Sequence, residues 1–152
     1  MELCPAVNRT CIALLLLLFA GLGRLYAAER QVVLVVSAES SLQDLEPLEI
    51  QKLFLDLAVL RDGHPMHAIR NVSDEQIDKI FLQYIVAMSQ SAYDRRILTQ
   101  VLQQGRPRPP EMKTKAQVIE ALAADRYAVS YMWLKDIPVS PRLRILRVLW
   151  TE

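Results

Sequence analysis

Two histidines, His64 and His67, are the chain's whole imidazole complement, three residues apart around Pro65. That spacing brings two metal ligands together on a helix, but the proline removes the helix, and no third ligand follows. The pair is read as a turn entering a strand. A serine nucleophile needs a sharp strand-to-helix turn and a histidine oriented by a carboxylate, and no segment carries that pattern. Glycine loops that cradle phosphates are missing as well, since after residue 28 only Gly63 and Gly105 remain. The sequence therefore assigns no catalytic residue, no metal ligand and no cofactor, and an enzyme is not expected.

Anion binding asks less of a sequence. Ser37, Ser40 and Ser41 follow an apolar run and approach a helix, where hydroxyls and free backbone N–H groups can hold an oxyanion. Arg70, Asn71 and Ser73 stand in the same relation to a second strand and helix. Both groups are equally legible as helix caps, which serine supplies by accepting from the first-turn N–H groups. Tyr127, Tyr131 and Trp133 fit either a ligand wall or a core, and Arg106 with Arg108 either a basic contact surface or a solvated loop.

The elements that must position these residues follow from periodicity. Gln31 to Val36 (QVVLVV) is an almost unbroken β-branched run, the pattern of a strand covered on both faces. Pro47 suits a helix's first turn and precedes a stripe of Leu48, Ile50, Leu53, Phe54 and Leu57. Asp62-Gly63 marks a tight turn, with a short strand from Met66 to Ile69. Ser73 and Gln76 have capping-box spacing ahead of Ile77, Ile80, Phe81, Tyr84, Ile85 and Met88, which predicts an amphipathic helix. A further helix is expected from Ser91, with Asp94 at its capping-box position, to Gly105, and another after Thr114 and Gln117. Tyr127 to Met132 alternates and reads as a strand, as does Leu143 to Trp150 with Arg144 and Arg147 on its polar face. Alternating strands and helices predict an α/β fold, a small three-layer α/β sandwich.

Ahead of these elements, Arg9 and the apolar run CIALLLLLFAGLG (residues 11–23) have the form of a secretory signal, with Ala27 and Ala28 as its exit. The run is shorter than the roughly 20 residues that span a bilayer. Residues 1–28 are thus expected to be a signal peptide, and 29–152 the exported domain. The 18 basic and 17 acidic side chains of the chain lose Arg9, Arg24 and Glu2 with the signal, which leaves the domain neutral. Cys4 and Cys11 leave too, so the domain has no thiol for a disulfide, a nucleophile or a metal. Neutrality gives no overall pull toward nucleic acid, which is not expected as a partner.

From Leu53 to Ile69 (LFLDLAVLRDGHPMHAI) the chain resembles the substrate-binding proteins of phosphate ABC importers, in particular their short single-lobe relatives. Leu53-Phe54-Leu55 is similar to the hydrophobic-Phe-Leu-Gly helix end of that group, with Asp56 where glycine is usual. Asp62-Gly63 and Pro65 match its turn, and Gly105 with Pro109-Pro110 resembles its Gly-x-x-x-Pro-Pro loop. Tyr127-Ala-Val-Ser-Tyr131 resembles its Gly-Ala-Ile-Gly-Tyr strand, with Tyr127 and Ser130 in place of both glycines. The resemblance implies a single lobe of periplasmic-binding-protein type, exported to the periplasm. By position it also implies ligand contacts at Ser37, Ser40, Ser41, Arg70 and Ser73, for phosphate or a similar small oxyanion. A membrane transporter or sensor protein is the implied partner. The alternative is a ligand-free interaction or sensory module built on the same lobe.

Overall fold

The computed structural model describes residues 30–152 except 106, 140 and 141, so the expected signal segment lies outside the described residues. Strand β1 (Gln31–Ser37) leads through a loop to helix α1 (Pro47–Phe54). A hairpin of β2 (Leu60–Arg61) and β3 (His64–Pro65) follows, then short strands β4 (His67–Ala68) and β5 (Arg70–Asn71). Helix α2 (Glu75–Ile80) continues as a π-helical turn, Phe81–Ile85. Next come α3 (Gln90–Gln104), β6 (Glu111–Met112), α4 (Lys115–Ala124), β7 (Ala128–Trp133) and β8 (Leu143–Thr151).

The main sheet has the order β4-β7-β1-β8. From Val32 to Val36, β1 is buried throughout because both of its faces are covered. Val32, Leu34 and Val36 pack with residues of α1, α2, the π turn and α3, including Ile50, Phe54, Ile77, Phe81, Tyr93 and Ile97. Val33 and Val35 face the other way, onto Val118 and Leu122 of α4. Period-2 geometry sends alternate side chains to opposite layers, so a strand between two helical layers reads as a continuous apolar run. These are the three layers that the alternation of elements predicted.

The local expectations hold in type and shift in detail. Both neighbours of β1 run antiparallel to it, and only β4 is parallel to β7 in this sheet. Burial on both faces thus comes from the helical layers, not from parallel pairing. All six residues of β7 are buried. Ser130 is the apparent polar position, and its hydroxyl donates to the Ile69 carbonyl at 2.8 Å. Two helix starts move as well. Asp74, not Ser73, caps α2 by accepting from the Ile77 N–H at 2.8 Å, while the Ser73 N–H donates to Asn71 Oδ1. Ser89, not Ser91, caps α3, accepting from the Ala92 N–H. The cap moves one residue downstream in α2 and two upstream in α3, because an extended backbone at the new residue lets its side chain reach the free N–H. Thr114 caps α4 as its spacing predicted, and Gly105 ends α3 at φ 64°.

Candidate functional site

The residues singled out for anion binding are placed in two groups. At the end of β1, Ser37 Oγ accepts from the Glu39 N–H and Ser40 Oγ from the Leu42 N–H, each at 3.3 Å, and Ser41 donates to Asp62 at 3.3 Å. Arg144 donates to the carbonyls of Ser40 and Leu42, and Arg147 pairs with Asp44 at 2.7 Å. These bonds stitch the loop after β1 to itself and to β8. The next helix begins only at Pro47, where the Glu49 carboxylate accepts from the Glu46 N–H at 3.0 Å.

Arg70 and Ser73 lie toward the opposite end of the sheet. Val36 is paired with Val129, and Val32 with Trp133, so β7 runs from the Ser37 end to the far end of β1. Asn71 is tied to Tyr131 by two bonds, its amide to the Tyr131 carbonyl and the Tyr131 hydroxyl to its own carbonyl. Asp74 accepts from the Trp133 indole N–H at 2.8 Å. The four steps from Val129 to Trp133 span about 13 Å. Ser37, Ser40 and Ser41 are thus brought together, but Arg70 and Ser73 do not join them.

Arg70 is buried, and its guanidinium is already occupied. It donates to Asp78 at 2.7 Å, Glu111 at 2.9 Å and Gln90 at 3.1 Å, and lies over the rings of Phe81 and Tyr93. Burial works against its charge, but the Asp78 hydrogen bond and field outweigh it, so the guanidinium is held more firmly protonated than usual. Burial pushes the Tyr93 hydroxyl up to about 12 and raises that of Tyr131 well above its ordinary value. Neither histidine marks a metal site here: His64 stacks on Tyr127, and His67 Nδ1 lies 2.6 Å from Asp125. Among the described residues no group of three or more His, Cys, Asp or Glu could hold a metal ion.

A cleft of about 650 Å³ lies at the end of the sheet where β7 stops. Arg30, Asp74, Gln76, Lys115, Trp133, Lys135, Asp136 and Glu152 line it. β5 leads into α2 and β6 into α4 at this end, so the cleft stands outside the carboxyl ends of parallel strands, where open α/β sheets bind ligands. Its charges are largely paired within the protein. Arg30 is paired with Glu152, and Lys115 with Asp136 at 2.6 Å. The Asp74 carboxylate sits on the first turn of α2 and on the Trp133 indole, taking donors that an incoming anion would need. Lys135 is exposed and makes no ion pair among the described residues.

Sequence reasoning identified Trp133 but passed over Lys115, Lys135 and Asp136; Asp74 is legible in sequence only as an acidic residue at the positive end of α2. The lysines carry no such signal, because only the meeting of three strand ends makes them neighbours.

Comparisons with known proteins bear on this architecture. No protein-family model matches the sequence, and no curated protein matches it. Solved structures do match in fold. An ABC-type phosphate transport receptor from Vibrio cholerae superposes with a TM-score of 0.56 at 5% identity, over 78% of this chain and 46% of that one. A Clostridium perfringens protein described as a phosphate ABC transporter substrate-binding protein, with bound phosphate, gives 0.59 at 8% identity, over 78% and 44%. The chain therefore has an α/β fold like that of these two substrate-binding proteins, and it spans under half the length of each of them. One substitution noted in the resemblance has a visible consequence. Asp56, where glycine is usual, adopts φ 57°, the left-handed region in which glycine is free of strain.

Proposed function

We propose that this chain is an exported solute-binding-type lobe, released from a signal peptide of residues 1–28 into the periplasm. It acts by contact with a membrane transporter or sensor protein instead of retaining phosphate by itself. The observation that carries this reading is the state of the cleft. Asp74 occupies the first turn of α2 with the protein's own carboxylate, and Asp136 and Glu152 neutralise Lys115 and Arg30. An anion entering there must displace or lie beside three carboxylates, and a half-open cleft leaves it partly in water. Calorimetric titration of the exported protein with phosphate and with sulfate tests the proposal. No saturable heat is expected below millimolar anion, and saturation in the micromolar range would overturn it. Affinity capture from membrane extract should recover a transporter or sensor subunit.

A second reading keeps a phosphate-like oxyanion as the ligand. It is favoured by the exposed Lys135, which lines the cleft with Lys115 and makes no ion pair among the described residues, and by the phosphate in the Clostridium perfringens structure. Contact then falls to these lysines, because the donors of Arg70 are committed to Asp78, Glu111 and Gln90. Lys135→Ala should weaken the titrated affinity in this reading and change nothing in the first.

A further inference from the structure

We propose that a second pocket, at the end of α1, binds a small organic amine through the Asp56 carboxylate. The pocket has a volume of about 340 Å³, within the range of small-molecule sites. It lies beside β4, which pairs with the first residues of β7, and so apart from the cleft where β7 stops. Leu53 and Leu57 around the end of α1, Met66 and Ala68 of the β4 segment, and Pro107 and Pro109 supply apolar walls.

Asp56 is the acidic residue of this lining, and the way α1 ends fixes its place. The Asp56 N–H donates to the Leu53 carbonyl at 3.1 Å and the Leu57 N–H to the Lys52 carbonyl at 2.9 Å. Aspartate tolerates the φ 57° between them better than most residues, so strain says little. The carboxylate says more. Neither of its oxygens accepts a hydrogen bond or joins an ion pair among the described residues, and Oδ2 is buried from water. A buried acceptor without a donor is costly, and folded proteins rarely keep one without a use. Pro107, Pro109 and Pro110 have no N–H with which to supply the donor. Lys52, one turn earlier on α1, is exposed and forms no ion pair with Asp56. His67, which also lines the pocket, has its Nδ1 at 2.6 Å from Asp125.

The chemistry of the occupant follows from these groups. The carboxyl end of a helix carries partial negative charge, and Asp56 adds a full one there, so the pocket selects a cation. A bound metal ion takes several oxygen ligands, whereas here one carboxylate stands among hydrocarbon walls. An ammonium group on a hydrocarbon body brings N–H donors to the carboxylate and apolar surface to leucine, methionine and proline. One carboxylate matches one charge, so a monoamine is the fitting class. The site holds under either reading of the cleft.

Titration of the protein with hexylamine at neutral pH, followed through backbone amide chemical shifts, tests the proposal. A dissociation constant of about 1 mM or below is expected, with the shifted amides clustered at Leu57, Met66 and Ala68. Hexan-1-ol keeps the body and loses the charge, and should bind at least tenfold more weakly. Asp56→Asn retains the turn and the shape and should lose at least tenfold in hexylamine affinity. Asp56→Gly should lose as much while its thermal midpoint does not fall. Amides unmoved at about 20 mM hexylamine overturn the proposal. So does equal binding of the alcohol, which leaves an apolar groove and no cation site, or a set of shifts on another face. Two Asp56 variants that bind hexylamine as the parent does also overturn it. Capture of a basic partner protein through Asp56, with the free amine inert, would do the same.

Discussion

Deleting the Asp78 carboxylate beside Arg70 should destabilise the protein more than deleting Arg70 itself. The Arg70 side chain is 4% exposed, whereas Asp78 is 28% and Glu111 47% exposed. In Arg70→Met the methionine fills the space over Phe81 and Tyr93, and the two stranded carboxylates recover water. The loss is the charge-assisted bonds less the desolvation they offset, about 1–2 kcal/mol. In Asp78→Ala the guanidinium stays buried, keeping only Glu111 and Gln90, with its Nε already lacking a partner. Removing one partner of a buried pair costs about 3–5 kcal/mol, and the partial exposure of Asp78 places this case near 3. Urea denaturation of both variants, with unchanged slopes, gives the comparison through the midpoints. Glu111→Ala, which removes the most exposed partner, should be the mildest of the three. If Arg70→Met proves as costly as Asp78→Ala, or both fall under about 1 kcal/mol, burial of the charge does not control this cluster.

Asp74→Ala removes the α2 cap and the acceptor of the Trp133 indole, and should cost about 1–2 kcal/mol in thermal or urea unfolding. Asp74→Asn, which retains an acceptor, should recover most of that loss. Asp56→Gly should stabilise by about 0.5–1 kcal/mol, because glycine relieves the φ 57° backbone and removes a carboxylate oxygen that has no partner. Alkaline titration should expose Tyr93. Its hydroxyl titrates near 10 unfolded and about 12 folded, so the unfolded chain holds fewer protons between those values. Stability is therefore full below about pH 10 and falls by about 2–3 kcal/mol as pH rises through 12. Tyr93→Phe should flatten part of this slope at the cost of about 1 kcal/mol at neutral pH, where the hydroxyl donates to the Phe54 carbonyl.

What the sequence determined by itself is local. The unbroken run of β1, Pro47 at a helix start, Asp62-Gly63 as a hairpin turn, Thr114 as a cap and Gly105 as a helix end each follow from a few neighbouring residues. Periodicity also supplied the α/β class, since a strand apolar on both sides requires a layer on each face. Tertiary structure decided the rest. That β1 lies antiparallel to β7 and β8 depends on pairings about a hundred residues apart, which no local pattern records. The same holds for Arg70. As a residue between strand and helix it suggested an anion contact, but Glu111, from a distant strand, joins Asp78 and Gln90 to occupy it. The serines after β1 and Ser73 read alike in sequence and lie at opposite ends of the sheet, because β7 reverses direction between them. Residue type sets what a side chain can bind. Only the folded chain decides which of its own groups reach that side chain first.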